Sequence, residues 1–185
     1  MLAVIGLTGR EVLNVITQLQ LDTVVFLANQ NSLQQTVLSG TDIGLQLIED
    51  QLRTKDGVRL VRLPVSGPFH SPLMAPVAQE FAPVINELPL AEPQLPVVSP
   101  TTGGLLSTAT EIRQALLQQF TSPVLWIDTV VWLAKHGVQH LVEVGPGKVL
   151  TGLVRRIDPN LQRFNVQSLK DSFSVPMQVA EEGEK

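Results

Sequence analysis

His70 is the residue whose type and setting could do chemistry. It stands in the stretch Val58 to Met74, VRLVRLPVSGPFHSPLM, which reads as a strand, a Pro/Gly/Ser loop presenting His70, and a helix opening at Ser71-Pro72. Ser71 suits an N-cap, and Pro72 suits the first helical position, where a missing N–H costs nothing. His70 is therefore expected just ahead of the positive end of a helix dipole, a place that disfavours an imidazolium and favours the neutral ring a general base needs. The sequence taken alone also allows an ordinary loop histidine here. The other two histidines point to structural roles: His136 precedes Gly137 at a predicted helix C-terminus, and His140 falls in an apolar strand as a hydrogen-bonded core residue. With no cysteine in the chain, thiolate catalysis, disulfides and cysteine metal sites are excluded. No pair of histidines or carboxylates has metal-ligand spacing, so no metal is expected.

The elements that must position His70 belong to a globular chain. Of its 185 residues 44% are hydrophobic and 16% charged, enough to build a substantial core. A formal net charge of −4 argues against nucleic acid, whose phosphates call for a clustered basic surface. Met1-Leu2-Ala3-Val4 lacks a basic signal-peptide region, and Val124 to Ala134, interrupted by Asp128, falls short of the roughly 20 apolar residues of a membrane span. A soluble, cytoplasmic chain that touches no membrane is the expectation.

Residues 1–65 alternate between strand and helix signals. Leu2 to Leu7 is an apolar run, and Thr8 with Glu11 forms a capping box before a helix whose inner face is Val12, Val15, Ile16 and Leu19. Thr23 to Ala28 predicts a strand, Asn29 to Ser32 a polar turn, and Thr36 to Ser39 a second strand. A helix from about Asp42 to Leu52 and a strand from Val58 to Val65 complete a βαββαβ order, the ferredoxin-like arrangement. From residue 66 the pattern changes. Leu73, Met74, Val77, Phe81, Val84, Ile85 and Leu88 share one helix face, with Pro83 inside it. A proline-rich connector leads to a short buried strand at Val97-Val98. Thr108 and Glu111 open one helix, and Ser122-Pro123 another with Ile127, Val130, Val131 and Ala134 inward. Val138 to Val144 predicts a buried parallel strand, followed by a helix with Val149, Leu150, Leu153, Val154 and Ile157 inward. A strand over Arg163 to Ser168 comes last. Residues 66–168 thus read as part of an α/β layer, short of strands for its helices, and 169–185 as a flexible tail.

Leu63 to Met74 (LPVSGPFHSPLM) and Glu143 to Leu153 (EVGPGKVLTGL), with Asn29-Gln30-Asn31-Ser32 and Ser122 to Trp126, together make the chain resemble the malonyl-CoA:acyl-carrier-protein transacylases and the related polyketide acyltransferase domains, in their C-terminal portion only. The resemblance runs from Met1 to about Ile157. It implies an α/β-hydrolase-like large domain carrying a ferredoxin-like small one, and a ping-pong transfer of malonyl from coenzyme A through a serine to the carrier-protein thiol, with no cofactor beyond the substrates. By the same resemblance His70 is the base, the main-chain carbonyl of Gln119 orients its ring, and Phe69 marks a malonyl-selecting site by filling space that an α-branched extender would need. Asn29 and Asn31 enter as substrate contacts. Lys148, Arg155 and Arg156 suit an acidic carrier protein, or simply a solvated helix face.

The chain also departs from the family. No serine has glycine both two before and two after it, so the nucleophile elbow is absent; the segment supplying an oxyanion-hole amide and the arginine for the malonyl carboxylate are absent too. The expectation is a partial enzyme, inactive alone: either a gene fragment, or one half of a split enzyme whose Ser elbow is carried by an N-terminal companion fragment. A non-catalytic module that binds an acyl group, coenzyme A or a carrier protein is the alternative. Gly145-Pro146-Gly147 lacks the P-loop and dinucleotide fingerprints and reads as a strand-to-helix turn.

Overall fold

A computed structural model of the chain describes residues 1–168, and the segment 169–185 read from the sequence as a tail lies outside them. The chain divides into two compact units, Met1–Trp132 and a second beginning at Leu133.

The first unit opens with β1 (Leu2–Ile5), α1 (Gly9–Gln18), β2 (Val25–Ser32), β3 (Gln35–Gly40), α2 (Asp42–Leu52) and β4 (Arg59–Arg62). The strands form one sheet in the order β2-β3-β1-β4, with every pairing antiparallel. Local chemistry starts both helices: Thr8 and Glu11 cap α1 reciprocally, and the Thr41 hydroxyl accepts the Gly44 N–H at the head of α2. Strand alternation then sorts the faces. Leu2, Val4 and Leu38 join Val12 and Ile16 of α1 and Leu45, Ile48 and Leu52 of α2 in one core cluster. Ala3, Val37 and Ser39 point the other way and are buried as well.

Asn29 to Ser32, expected as a turn, are the end of β2; the turn is Leu33-Gln34. Register shifts between Leu27 and Asn29 and between Gln30 and Ser32 let this polar run continue pairing with β3. Its outer edge is satisfied as well, for Gln30 N–H donates to the Val124 carbonyl at 2.9 Å and Val124 N–H donates to the Ala28 carbonyl at 2.8 Å.

After β4 comes a loop, then a 3-10 turn (Pro72–Met74) running into α3 (Ala75–Glu87) with Pro83 inside it. A two-residue hairpin pairs β5 (Val97–Val98) with β6 (Leu105–Leu106), and α4 (Ala109–Gln118) and α5 (Trp126–Lys135) follow, the unit boundary falling within α5. Val97, expected to be buried, is exposed, because a two-residue strand with one partner offers nothing to cover it.

In the second unit β7 (His140–Val144) and β8 (Gln162–Val166) pair in parallel across α6 (Val149–Ile157). Leu153 and Val154 are buried, and the His140 ring stacks on Phe164 at 6.0 Å. The β7 strand, expected to be buried, presents Val144 at 78% exposure, and Val149 of α6 is at 69%. No helix among the described residues is long and apolar enough to cross a membrane.

Candidate active site

His70 sits in the loop between β4 and the 3-10 turn with its backbone in the left-handed region, φ 59°. For a residue with a Cβ that conformation costs roughly 1–2 kcal/mol, so the surroundings must hold it. Three contacts do. The hydroxyl of Ser39, on β3, donates to the carbonyl of Phe69. The hydroxyl of Ser71 donates to the carbonyl of Pro68 at 2.5 Å. The His70 Nδ1 lies 2.9 Å from the carbonyl oxygen of Gln119, at the end of α4. Both serines are fully buried.

The last contact fixes the tautomer. A carbonyl oxygen can only accept, so Nδ1 carries the proton in this bond, and Nε2 of the neutral ring is left with its lone pair as a proton acceptor. The Ser71 side chain makes no capping bond, contrary to the sequence expectation, because its hydroxyl turns back to Pro68. α3 proper begins at Ala75, one turn beyond His70, and it is the Gln119 carbonyl that touches the ring and sets its tautomer.

The ring faces an open groove of about 370 Å³, walled by Phe69, Phe81, Leu88, Leu116 and Phe120, with His70 and Gln119 among its lining. Phe81 and Phe120 meet across it at 5.5 Å between ring centroids. The groove is therefore lined mainly by apolar side chains, with His70 and Gln119 its polar members.

Gln119 is delivered to this place by α4. Thr108 and Glu111 form the capping box the sequence predicts, and the Ser107 and Thr108 N–H groups, with the Thr108 hydroxyl, hold the Glu111 carboxyl below the usual carboxylate range. Arg113 of α4 donates to three carbonyls at the end of α3, those of Ile85, Asn86 and Leu88, the latter two at 2.9 Å. The chain beyond Gln119 is tied to β2 through Val124. His70, Phe69 and Gln119 thus come together at one groove. Asn29 and Asn31 stay on β2, half-buried, Asn29 opposite Val37 and bridged to Val124, and neither lines the groove.

Sequence reasoning passed over Ser39 and Arg113, and in the second unit it passed over the role of Glu143. That carboxylate accepts the N–H groups of Leu150 (3.0 Å) and Thr151 (2.8 Å) and the Thr151 hydroxyl (2.5 Å), capping α6. Burial alone would raise its pKa, but these hydrogen bonds, led by the Thr151 hydroxyl, bring it below the usual carboxylate range. Lys148 stands at the head of α6, and Arg155 and Arg156 lie in its last turn, all three exposed. Among the described residues no three His, Cys, Asp or Glu side chains cluster as metal ligands would.

The mixed α/β chain thus sets a backbone-tethered histidine at the edge of an open apolar groove. No family model matches the chain. It is 39% identical over 154 residues to the malonyl CoA-acyl carrier protein transacylase of Synechocystis sp., a match covering 83% of this chain and 52% of that protein. The crystal structure of a Synechocystis malonyl-CoA:ACP transacylase superposes with a TM-score of 0.84 at 35% identity, over 95% of this chain and 58% of that one. A malonyl-transacylase solved in complex with a type II polyketide-synthase acyl carrier protein gives a TM-score of 0.87 at 32% identity, over 94% of this chain and 56% of that one. The homologues of this chain, in sequence and in structure, are malonyl-CoA:acyl-carrier-protein transacylases, which are acyltransferases. The chain spans about half the length of the curated relatives it matches.

Proposed function

We propose that this chain supplies the base-bearing part of an acyl-carrier-protein S-malonyltransferase of fatty-acid or polyketide biosynthesis. The observation that carries the reading is the bond between His70 Nδ1 and the Gln119 carbonyl, which leaves Nε2 free at the edge of the groove. Nε2 takes the proton from a serine hydroxyl as that oxygen attacks the malonyl thioester carbonyl, and the imidazolium returns it to the departing coenzyme A thiolate. In the second half-reaction the carrier-protein thiol gives its proton to Nε2 while attacking the serine ester, and the serine oxygen recovers it.

The serine is supplied by a nucleophile elbow outside the sequence given, since no serine of this sequence has the flanking glycines. Malonyl-CoA and an acyl carrier protein are the substrates, consistent with the names of the relatives and with the carrier-protein complex of one of them. No further cofactor takes part, and the reaction is placed in the cytoplasm. The βαββαβ sheet of residues 1–65 is read as the ferredoxin-like small domain, and residues 66–168 as the C-terminal part of the α/β-hydrolase-like large domain. Phe69, in the groove wall, selects against branched extenders, and Asn29 and Asn31 meet the substrate from the small domain.

The test is reconstitution. The chain alone should transfer no malonyl from coenzyme A to holo carrier protein. Mixed with a separate N-terminal portion of the Synechocystis relative, it should do so, and His70→Ala should lower the rate roughly 100- to 10,000-fold. Transfer that is indifferent to His70→Ala refutes the reading, and saturable malonyl-CoA binding without transfer favours a non-catalytic module.

A further inference from the structure

We infer that Ser39 is a positioning residue for His70, an inference that deepens the reading above and rests on it. The argument starts from one peptide unit. The Phe69 carbonyl and the His70 N–H belong to the same peptide plane, and φ of His70 is the rotation about the N–Cα bond that carries its Cα substituents relative to that plane. Holding the carbonyl therefore fixes the frame from which the imidazole hangs. Ser39 holds it: its hydroxyl donates to the Phe69 oxygen across 30 residues of sequence, from the middle of a sheet rather than from the loop itself.

The donor is rigid. Ser39 is fully buried and paired opposite Phe26 in β3, flanked by Leu38 in the core and by Gly40, where an added Cβ would come within 2.6 Å of the Val24 carbonyl oxygen. A buried hydroxyl must find an acceptor, and the Phe69 carbonyl is the one it has. The recipient is a strained backbone, left-handed at a residue with a Cβ. Without the clamp the 69–70 peptide is free to turn, His70 relaxes toward a commoner conformation, and Nδ1 swings away from Gln119. The free ring then prefers protonation at Nε2, the wrong nitrogen for accepting a serine proton. Ser71 does related work on Pro68, but from three residues along the same loop, so it shapes the loop without anchoring it to the sheet.

The experiment uses the full chain labelled with 15N-histidine, compared as wild type, Ser39→Ala, Ser39→Cys and Ser39→Thr. Two-bond proton–nitrogen correlations read the tautomer of His70, and a thermal melt reads the fold. Wild type and Ser39→Thr, which keeps the hydroxyl, should hold the Nδ1–H form. Ser39→Ala and the weak donor Ser39→Cys should shift it several-fold toward Nε2–H. In the reconstituted pair the same two variants should lose on the order of 100-fold in kcat with KM for malonyl-CoA little changed, and Ser39→Thr should recover it. Folded Ser39→Ala or Ser39→Cys protein with an unchanged tautomer overturns the inference. The tautomer is read without any turnover, so a failure of the malonyl-transfer reading leaves this result interpretable.

Discussion

Arg113→Ala tests how the groove is assembled. The guanidinium of Arg113 donates to the carbonyls of Ile85, Asn86 and Leu88, closing the end of α3 from a helix that begins more than 20 residues later. Hydrogen bonds from a charged donor contribute about 1.5–3 kcal/mol each when desolvated, but the end of α3 is open to solvent and water can replace part of each bond. Discounting to about 0.7 kcal/mol per bond gives about 2 kcal/mol for the three. At roughly 2–4 °C per kcal/mol for a chain of this size, the melting temperature should fall by roughly 4–8 °C. Arg113→Lys keeps the charge but offers a point donor in place of a fork, so it should recover about a third of the loss. Circular dichroism melts of the three proteins decide it. The same set examined by histidine NMR should show the His70–Gln119 bond weakened in Arg113→Ala, because α3 and α4 carry the two ends of the loop system that bring those atoms together. A melting shift below 1 °C, or an Arg113→Lys protein equal to wild type, refutes the idea that this fork clamps the helices.

Leu38→Ala should cost about 2–5 kcal/mol in urea unfolding, since Leu38 is fully buried between the sheet and both of its helices. Gly103→Ala should cost roughly 1–3 kcal/mol, because Gly103 has φ +66° and an added Cβ would lie 2.9 Å from the Asp128 Cβ. Glu143 gives a pH signature: its carboxyl is held below the usual range in the folded unit, so the unfolded chain binds the proton more readily in acid. Its contribution is complete above the ordinary carboxylate value and is lost as pH falls through the lowered folded value. Glu143→Gln should therefore flatten the acid side of the stability-against-pH curve and leave the neutral-to-alkaline slope unchanged.

Much of the small sheet was legible because its signals are local. Thr8 and Glu11, and Thr108 and Glu111, announce their helices within four residues, and the structure places both capping boxes as read. The range of α2, Asp42–Leu52, agrees with the helix expected from about Asp42 to Leu52. Asn29 to Ser32 misled for the opposite reason: four polar residues are turn-like by composition, and only the bulged pairing with β3 and the Val124 backbone keep them in a strand. Ser71 misled by offering a hydroxyl next to Pro72, where a cap and a contact with Pro68 look alike in sequence. Ser39 and Arg113 meet partners 25 to 30 residues away, and no spacing rule reaches that far. The one available hint was a serine at a strand position where apolar burial was due.

Periodicity, finally, identifies an apolar face without saying what covers it. The seven apolar positions read onto one face of the helix after His70 do line up, yet Met74 and Ile85 alone among them are buried, and Val77, Phe81 and Val84 are open. The β7–α6 segment repeats the pattern, with Leu153 and Val154 inward while Val144 and Val149 face out. Those exposed positions follow the same physical rule as the buried ones, since side chains of this kind leave water wherever a partner surface is offered. In α3, Phe81 and Leu88 are part of the wall of the groove beside His70, so residues that fail as core give the imidazole its apolar surroundings.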